Sequence, residues 1–220
     1  MLKKYPNVSV GVHLTLNSEW KNYRWGPVAG AGTVPSLVDS SGYFFPSRAL
    51  LFAHSPVLKE VELELRAQID RAMKSGLPID YFDYHMGAAV DNLPMRLIVE
   101  KLAAEYSVGI SRYFHEKAIE GFYMAEPSHK LDSLLSCVSV LKDEQINLLV
   151  SHIGWDTPEM NALIDQNANG LAEMSKYRRG ELLAITSEQF QRLIRQKGIR
   201  LISYCDLKKR PGITGMHRPE

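Results

Sequence analysis

Short apolar runs of strand-forming residues alternate along this chain with amphipathic runs of ten or more residues, an order that few folds accept. The strand-like runs are VSVGVHLTL, IDYFDYH, VGISR, INLLVSH and IRLISY. Between the first two, SPVLKEVELELRAQIDRAMKSG predicts a helix with Ser55 as N-cap, Pro56 at the first helical position and Gly76 as its stop. Its apolar stripe runs through Leu58, Val61, Leu65, Ile69 and Ala72, the spacing of one helix face. LPMRLIVEKLAAEY, HKLDSLLSCVSVLK, TPEMNALIDQ and SEQFQRLIRQKG predict further helices, the last capped by Ser187 and stopped by Gly198. Strands separated by helices are joined by right-handed crossovers, so the predicted class is α/β with a largely parallel sheet.

A chain of 220 residues with 45% hydrophobic and 23% charged residues can bury a full core and is most simply one domain, 1–220. Within it, 17–54 reads as a loop-rich insertion dense in Gly, Pro and aromatics, the composition of a binding or lid element. A net charge of +1 argues against a broad electrostatic partner such as nucleic acid. Two cysteines, Cys137 and Cys205, are too few for a disulfide scaffold and fit a reducing compartment. With no apolar run of membrane-spanning length and no signal-peptide core at the start, the expectation is a cytoplasmic protein without a membrane partner.

The polar residues are then informative by position. In VSVGVHLTL, Val8, Val10, Val12, Leu14 and Leu16 share one face, so His13 points to the other. Asp83 and His85 close the second run, Arg112 the third and His152 the fourth. Carboxyl ends of parallel strands share a rim, and sites are built there, so these side chains are expected to converge. Imidazoles with a carboxylate suit Zn²⁺ or another divalent ion that lowers the pKa of bound water. A further His can then donate a proton, and Arg112 can orient a carboxylate or the substrate. Asp83 reads either as the partner that fixes the tautomer of His85 or as a strand-end cap.

VGVHLTL, DYFDYHMGAAVDNLP, VGISR, LLVSHIG and YRRGELLAI together resemble, in order and spacing, the YdjC-like carbohydrate deacetylases, the ChbG/HpnK group. The resemblance spans almost the whole chain. It implies a distorted β/α barrel and metal-dependent removal of an acetyl group from N-acetylated sugars such as chito-oligosaccharides. It also implies a divalent ion, Mg²⁺ or Zn²⁺, held by His13 and His85, with His152 at the rim as acid or substrate contact. Tyr177, Arg178 and Glu181 match the family's Tyr-Arg-x-x-Glu-Leu helix, with Tyr177 and Arg178 as candidate substrate contacts, or form a solvated helix start. Trp25, with Trp20, Tyr23, Tyr43 and Phe44, either stacks on sugar rings or seals the core. A homodimer is compatible with this reading.

The chain departs from the family pattern at several points. The family's ADDFG-like strand, which supplies a metal ligand and the general base, has no counterpart, and no Asp-Asp pair occurs in the sequence. The chain is therefore expected to be N-terminally incomplete, with MLKKYPNVSV reading as a helix end running into a strand. Tyr84, Met86 and Gly87 stand where Ser, Gln and a second His are usual, and Ile153 replaces a Pro. The alternative to the enzyme is an inactive homologue that binds carbohydrate or regulates.

Overall fold

The computed structural model describes residues 4–5, 8–168, 170–209 and 215–219, and groups them into two compact units. Most of MLKKYPNVSV that bears on a preceding helix, residues 1–3 and 6–7, lies outside the described residues. The first unit comprises Met1–Tyr113 and Ile202–Arg218, the second Phe114–Leu201 and Pro219–Glu220. No helix among the described residues is long and apolar enough to cross a membrane.

The first unit is built on a three-stranded parallel sheet, β1 (Gly11–Leu14), β2 (Tyr81–Tyr84) and β3 (Gly109–Ile110), in that spatial order. Period-two alternation holds: Val12, Leu14, Leu16 and Phe82 are buried, whereas His13 is exposed on the opposite face. Two helices cross over between the strands, α2 (Leu58–Met73) after the short α1 (Arg48–Ala53), and α3 (Leu93–Tyr106). Helix α2 packs on both β1 and α3 through Val61, Leu65 and Ile69, all fully buried.

The cap at Ser55 does not form. Ser55 adopts a left-handed conformation (φ 52°) that ends the α1 turn, and α2 starts at Leu58 with Val57 as an uncapped N-terminus. Ser36 supplies the missing polar contact from a distance: its hydroxyl accepts from the Val57 amide and donates to Glu60 in the first turn. Helix α3 follows its sequence signals, since Asn92 accepts from the Met95 amide at 3.1 Å and Pro94 lies in the first turn. IRLISY forms no strand. Ser203 and Asp206 bond reciprocally, amide to carboxylate at 3.0 Å and amide to hydroxyl at 3.3 Å, and this capping box starts α8 (Tyr204–Lys209) instead.

The insertion 17–54 is tied down from α2. Glu64, fully buried, accepts from the amides of Val28 (3.0 Å) and Ala29 (2.8 Å) and from the Gln68 side chain (2.7 Å). Gln68 in turn bonds both backbone groups of Thr15. One helix face thus fixes the end of β1 and the loop beyond it. Trp20, Phe44 and Phe45 are buried, Tyr23 and Tyr43 exposed, so the loop's aromatics divide between sealing the core and facing water.

In the second unit β4 (Lys117–Ala118) pairs in parallel with β5 (Asn147–Leu148). Helices α4 (Lys130–Ser139), α6 (Met174–Thr186) and α7 (Glu188–Gln196) pack around Phe122, Leu134, Val138, Ala184 and Phe190. Helix α5 (Pro158–Asn161) stops after one turn capped by Thr157, far short of TPEMNALIDQ, and the exposed Ile164 finds no core to face. Ser187 caps α7 by accepting from the Phe190 amide, and Gly198 leaves it with φ 61°.

Replacing Glu64 by Ala removes the buried carboxylate that accepts from the Val28 and Ala29 amides. The expected loss is about 2–5 kcal/mol of unfolding free energy, from the loss of two hydrogen bonds to a charged group. Urea unfolding measures it, and a loss below about 1 kcal/mol would show that the loop is held elsewhere.

Candidate active site

Parallel pairing sets His13 directly beside Asp83, and both point away from the core. One rung earlier on the same face Gly11 lies beside Tyr81. A Cβ on Gly11 would fall 2.5 Å from the Tyr81 ring, which itself stacks on Tyr204 at 4.2 Å, so only glycine fits there. Burial, together with the Asp83 and Asp80 carboxylates, pushes the Tyr81 phenol above its ordinary value.

His85 follows β2 and is turned back by two left-handed residues, Met86 (φ 48°) and Gly87 (φ 74°). Gly87 takes that conformation without the steric penalty that a second His would meet, which gives a physical reason for its departure from the family pattern. The turn places His85 between His13 and the loop after β1. His13 Nδ1 lies 2.7 Å from Asp83 Oδ1, His13 Nε2 lies 3.2 Å from His85 Nδ1, and His85 Nε2 lies 2.7 Å from Glu19 Oε2. The row runs from open to closed: the His13 side chain is 51% exposed and that of Glu19 only 5%. The Trp25 ring meets His85 edge-on at 5.9 Å, so this loop aromatic borders the site.

Hydrogen-bond logic assigns the nitrogens. Carboxylates accept, so His13 Nδ1 and His85 Nε2 donate to them, and in neutral imidazoles the other nitrogen of each ring is an acceptor. Two acceptors therefore face each other at 3.2 Å. That contact is repulsive unless a proton or a cation lies between them. Nitrogens bound to one zinc at 2.0–2.1 Å stand about 2.8–3.4 Å apart for angles of 90–110°. The two carboxylates behind the rings carry the charge that a divalent ion would balance. His13 and His85 thus fit a metal, with Asp83 and Glu19 in the outer positions that orient ligating imidazoles. Among the described residues no group of three His, Cys, Asp or Glu side chains is arranged to hold a metal ion by itself.

Asp83 accordingly contacts His13 and not His85, the partner expected from its position in sequence. Glu19 takes the role beside His85. It is the only acidic residue before Asp39, which was the one available signal, and a loop position six residues past His13 gave no periodicity to interpret. Arg112 lies two residues beyond β3 in a left-handed conformation (φ 71°).

His152 belongs to the second unit, past β5, and its environment rests on a buried ion pair. Lys130 and Glu181 meet at 3.1 Å with both side chains about 1% exposed. The Lys130 ammonium also donates to the Phe122 and Tyr123 carbonyls, at 2.8 and 2.6 Å, so all three of its protons are used. The second oxygen of Glu181 accepts from the His152 amide at 2.5 Å, and the Tyr123 ring packs edge-on against the His152 imidazole. Arg178 contributes its carbonyl to the Gly154 amide. Tyr177 donates to Glu126 at 3.2 Å, and burial with that carboxylate raises its pKa. The YRRGE segment is therefore no solvated helix start: Glu181 lies at the centre of this unit and Arg178 braces the segment after His152.

Residues 1–196 match the YdjC-like protein family. The chain belongs to that family. Among its relatives, a carbohydrate deacetylase of Enterococcus faecalis is 31% identical over 217 residues, covering 92% of this chain and 78% of that protein. A carbohydrate deacetylase of Brevibacillus brevis is 28% identical over 223 residues, covering 94% and 81%. A crystal structure from Enterococcus faecalis V583, provisionally described as a cellobiose-phosphate cleavage protein, superposes with a TM-score of 0.69 at 25% identity, covering 90% of this chain and 77% of that one. Mixed α/β architecture with parallel strands is thus common to this family member and that neighbour.

Removing one partner of the Lys130–Glu181 pair strands a buried charge. Lys130→Met is expected to cost about 3–5 kcal/mol, whereas Lys130→Met combined with Glu181→Leu recovers part of that loss. Denaturant unfolding of the two variants checks the order, and a double variant weaker than the single one by the full additive sum would contradict it.

Proposed function

We propose that this chain is a metal-dependent carbohydrate deacetylase that hydrolyses the acetamide of an N-acetylated sugar, with chito-oligosaccharides as the substrate class. The observation that carries the reading is the pair of facing imidazole nitrogens of His13 and His85, each backed by a carboxylate. Membership of the YdjC-like family and relatives named as carbohydrate deacetylases support the choice of substrate.

His13 Nε2 and His85 Nδ1 would hold the ion. Bound there, a divalent metal supplies Lewis acidity to the acetamide carbonyl and a water acidified toward neutral pH. Imidazole donors favour zinc or a similar transition ion over magnesium, which prefers oxygen. Asp83 keeps the His13 proton on Nδ1, leaving Nε2 free for the ion. Trp25, beside His85, offers an aromatic edge to the sugar. His152, Tyr177 and Arg178 enter this reading through the family resemblance, His152 as acid or substrate contact, and Arg112 enters it as an orienting cation from its place past the end of a strand.

The test is acetate release from N-acetylglucosamine oligomers, with metal content measured on the same preparation. Activity is expected to vanish with a chelator and return with zinc. His13→Ala and His85→Ala should each lower kcat/KM by at least about 100-fold, since loss of an outer partner alone costs 10–100-fold. Release insensitive to both the chelator and these substitutions would overturn the metal site. Sugar binding without any acetate release would assign the chain as a carbohydrate-binding homologue.

A further inference from the structure

We propose that Glu19 is a positioning residue that selects the tautomer of His85 and so aims its Nδ1 at the cation position; this inference rests on the metal-site reading above. Glu19 reaches the far nitrogen of the ring, Nε2, at 2.7 Å. The imidazole lies between the carboxylate and the point His85 Nδ1 faces, so Glu19 acts through His85 and is not a ligand of the same ion.

The energetic argument comes from burial. A carboxylate this enclosed is poorly solvated, and the His85 N–H donates a hydrogen bond to it. Were His85 protonated on Nδ1 instead, the Nε2 lone pair would face the Glu19 oxygen, and two acceptors would meet inside the protein. The same proton would then block Nδ1 from a metal. Glu19 excludes that state. Asp83 does the same for His13, yet Asp83 sits in an open position, with its side chain 39% exposed, where water competes for the bond. The closed end of the row therefore has the stronger hold on its ring.

The backbone keeps Glu19 in place. The Ser18 amide donates to the Phe45 carbonyl at 2.9 Å, and the Ser18 hydroxyl accepts from the Trp25 amide at 2.9 Å. Asn17, fully buried, contacts the Met86 sulfur at 3.0 Å, linking the loop to the turn that carries His85. Glu19 and His85 are thus presented by two segments pinned to each other.

Two readouts test the proposal on the full chain: zinc affinity by calorimetry, and the His85 tautomer by long-range proton–nitrogen NMR of the metal-free protein. Wild type is expected to hold His85 protonated on Nε2. Glu19→Ala should weaken zinc binding toward the upper end of the 10–100-fold range seen for outer partners, with Nδ1-protonated His85 appearing in the spectrum. Glu19→Gln, which keeps the shape and one acceptor oxygen, should recover most of the tautomer while binding zinc roughly tenfold more weakly than wild type. Asp83→Asn should weaken zinc binding less than Glu19→Ala does. Wild-type zinc affinity and an unchanged tautomer in Glu19→Ala would reduce Glu19 to a buried acid of structural use only. If that variant fails to fold, the isosteric Glu19→Gln decides the matter through affinity, since zinc binding as tight as wild type would overturn the proposal there too. Zinc binding that survives His13→Ala and His85→Ala would instead sink the metal reading, while the spectra of wild type and of Glu19→Gln would still decide what holds the His85 proton.

Discussion

The in-register parallel pairing of β1 with β2 is the constraint on which the rest of the first unit depends. It brings His13 and Asp83 together from positions 70 residues apart, with no local sequence signal linking them. Because alternation along a strand is strict, the register that buries Val12, Leu14 and Phe82 also sends His13 and Asp83 to the other face. A slip of one residue would exchange the two sets, putting an imidazole and a carboxylate into the core. Hydrophobic burial therefore fixes the geometry of the polar pair without touching it.

Both units use buried ionisable side chains as struts where backbone must be held without a ladder. Glu64 collects amides of the insertion, and Lys130 with Glu181 collects carbonyls and an amide around His152. In each case a side chain from a regular helix reaches irregular backbone and satisfies several of its groups at once. Such groups are costly to bury alone and are tolerated because every lone pair or proton in the strut that matters is engaged. The loops that border candidate site residues are in this way attached to the most regular parts of the molecule.

Local signals were legible in the sequence where local physics decides. Asn92 and Ser187 cap their helices, Val61, Leu65 and Ile69 of the α2 stripe are buried while Leu58 at its start is exposed, and His13 lies opposite Val12 and Leu14. The failures have particular causes. IRLISY has strand-like alternation, but the Ser203–Asp206 box offers the backbone a helical start that its neighbours complete. Ser55 looked like a cap because nothing in the sequence says that Ser36 will reach Val57 from 21 residues away. Glu19 and Lys130 were missed for the same reason: their roles come from tertiary approach, and a single charged residue in a loop or at a helix start carries no period. Glu181 stands in the family motif, and the structure shows that its carboxylate works from the interior.

The glycine beneath Tyr81 has a consequence for anyone redesigning this sheet. Gly11 shares its strand face with His13, and Tyr81 shares the same face with Asp83, so the two pairs are successive rungs of one ladder. Tyr81 cannot swing aside freely, because Tyr204 is stacked on it. A single added methyl at position 11 would therefore press on the Tyr81 ring, one rung from the His13–Asp83 bond. The missing side chain thus leaves the room in which the Tyr81 ring lies across position 11, on the same face as His13 and Asp83.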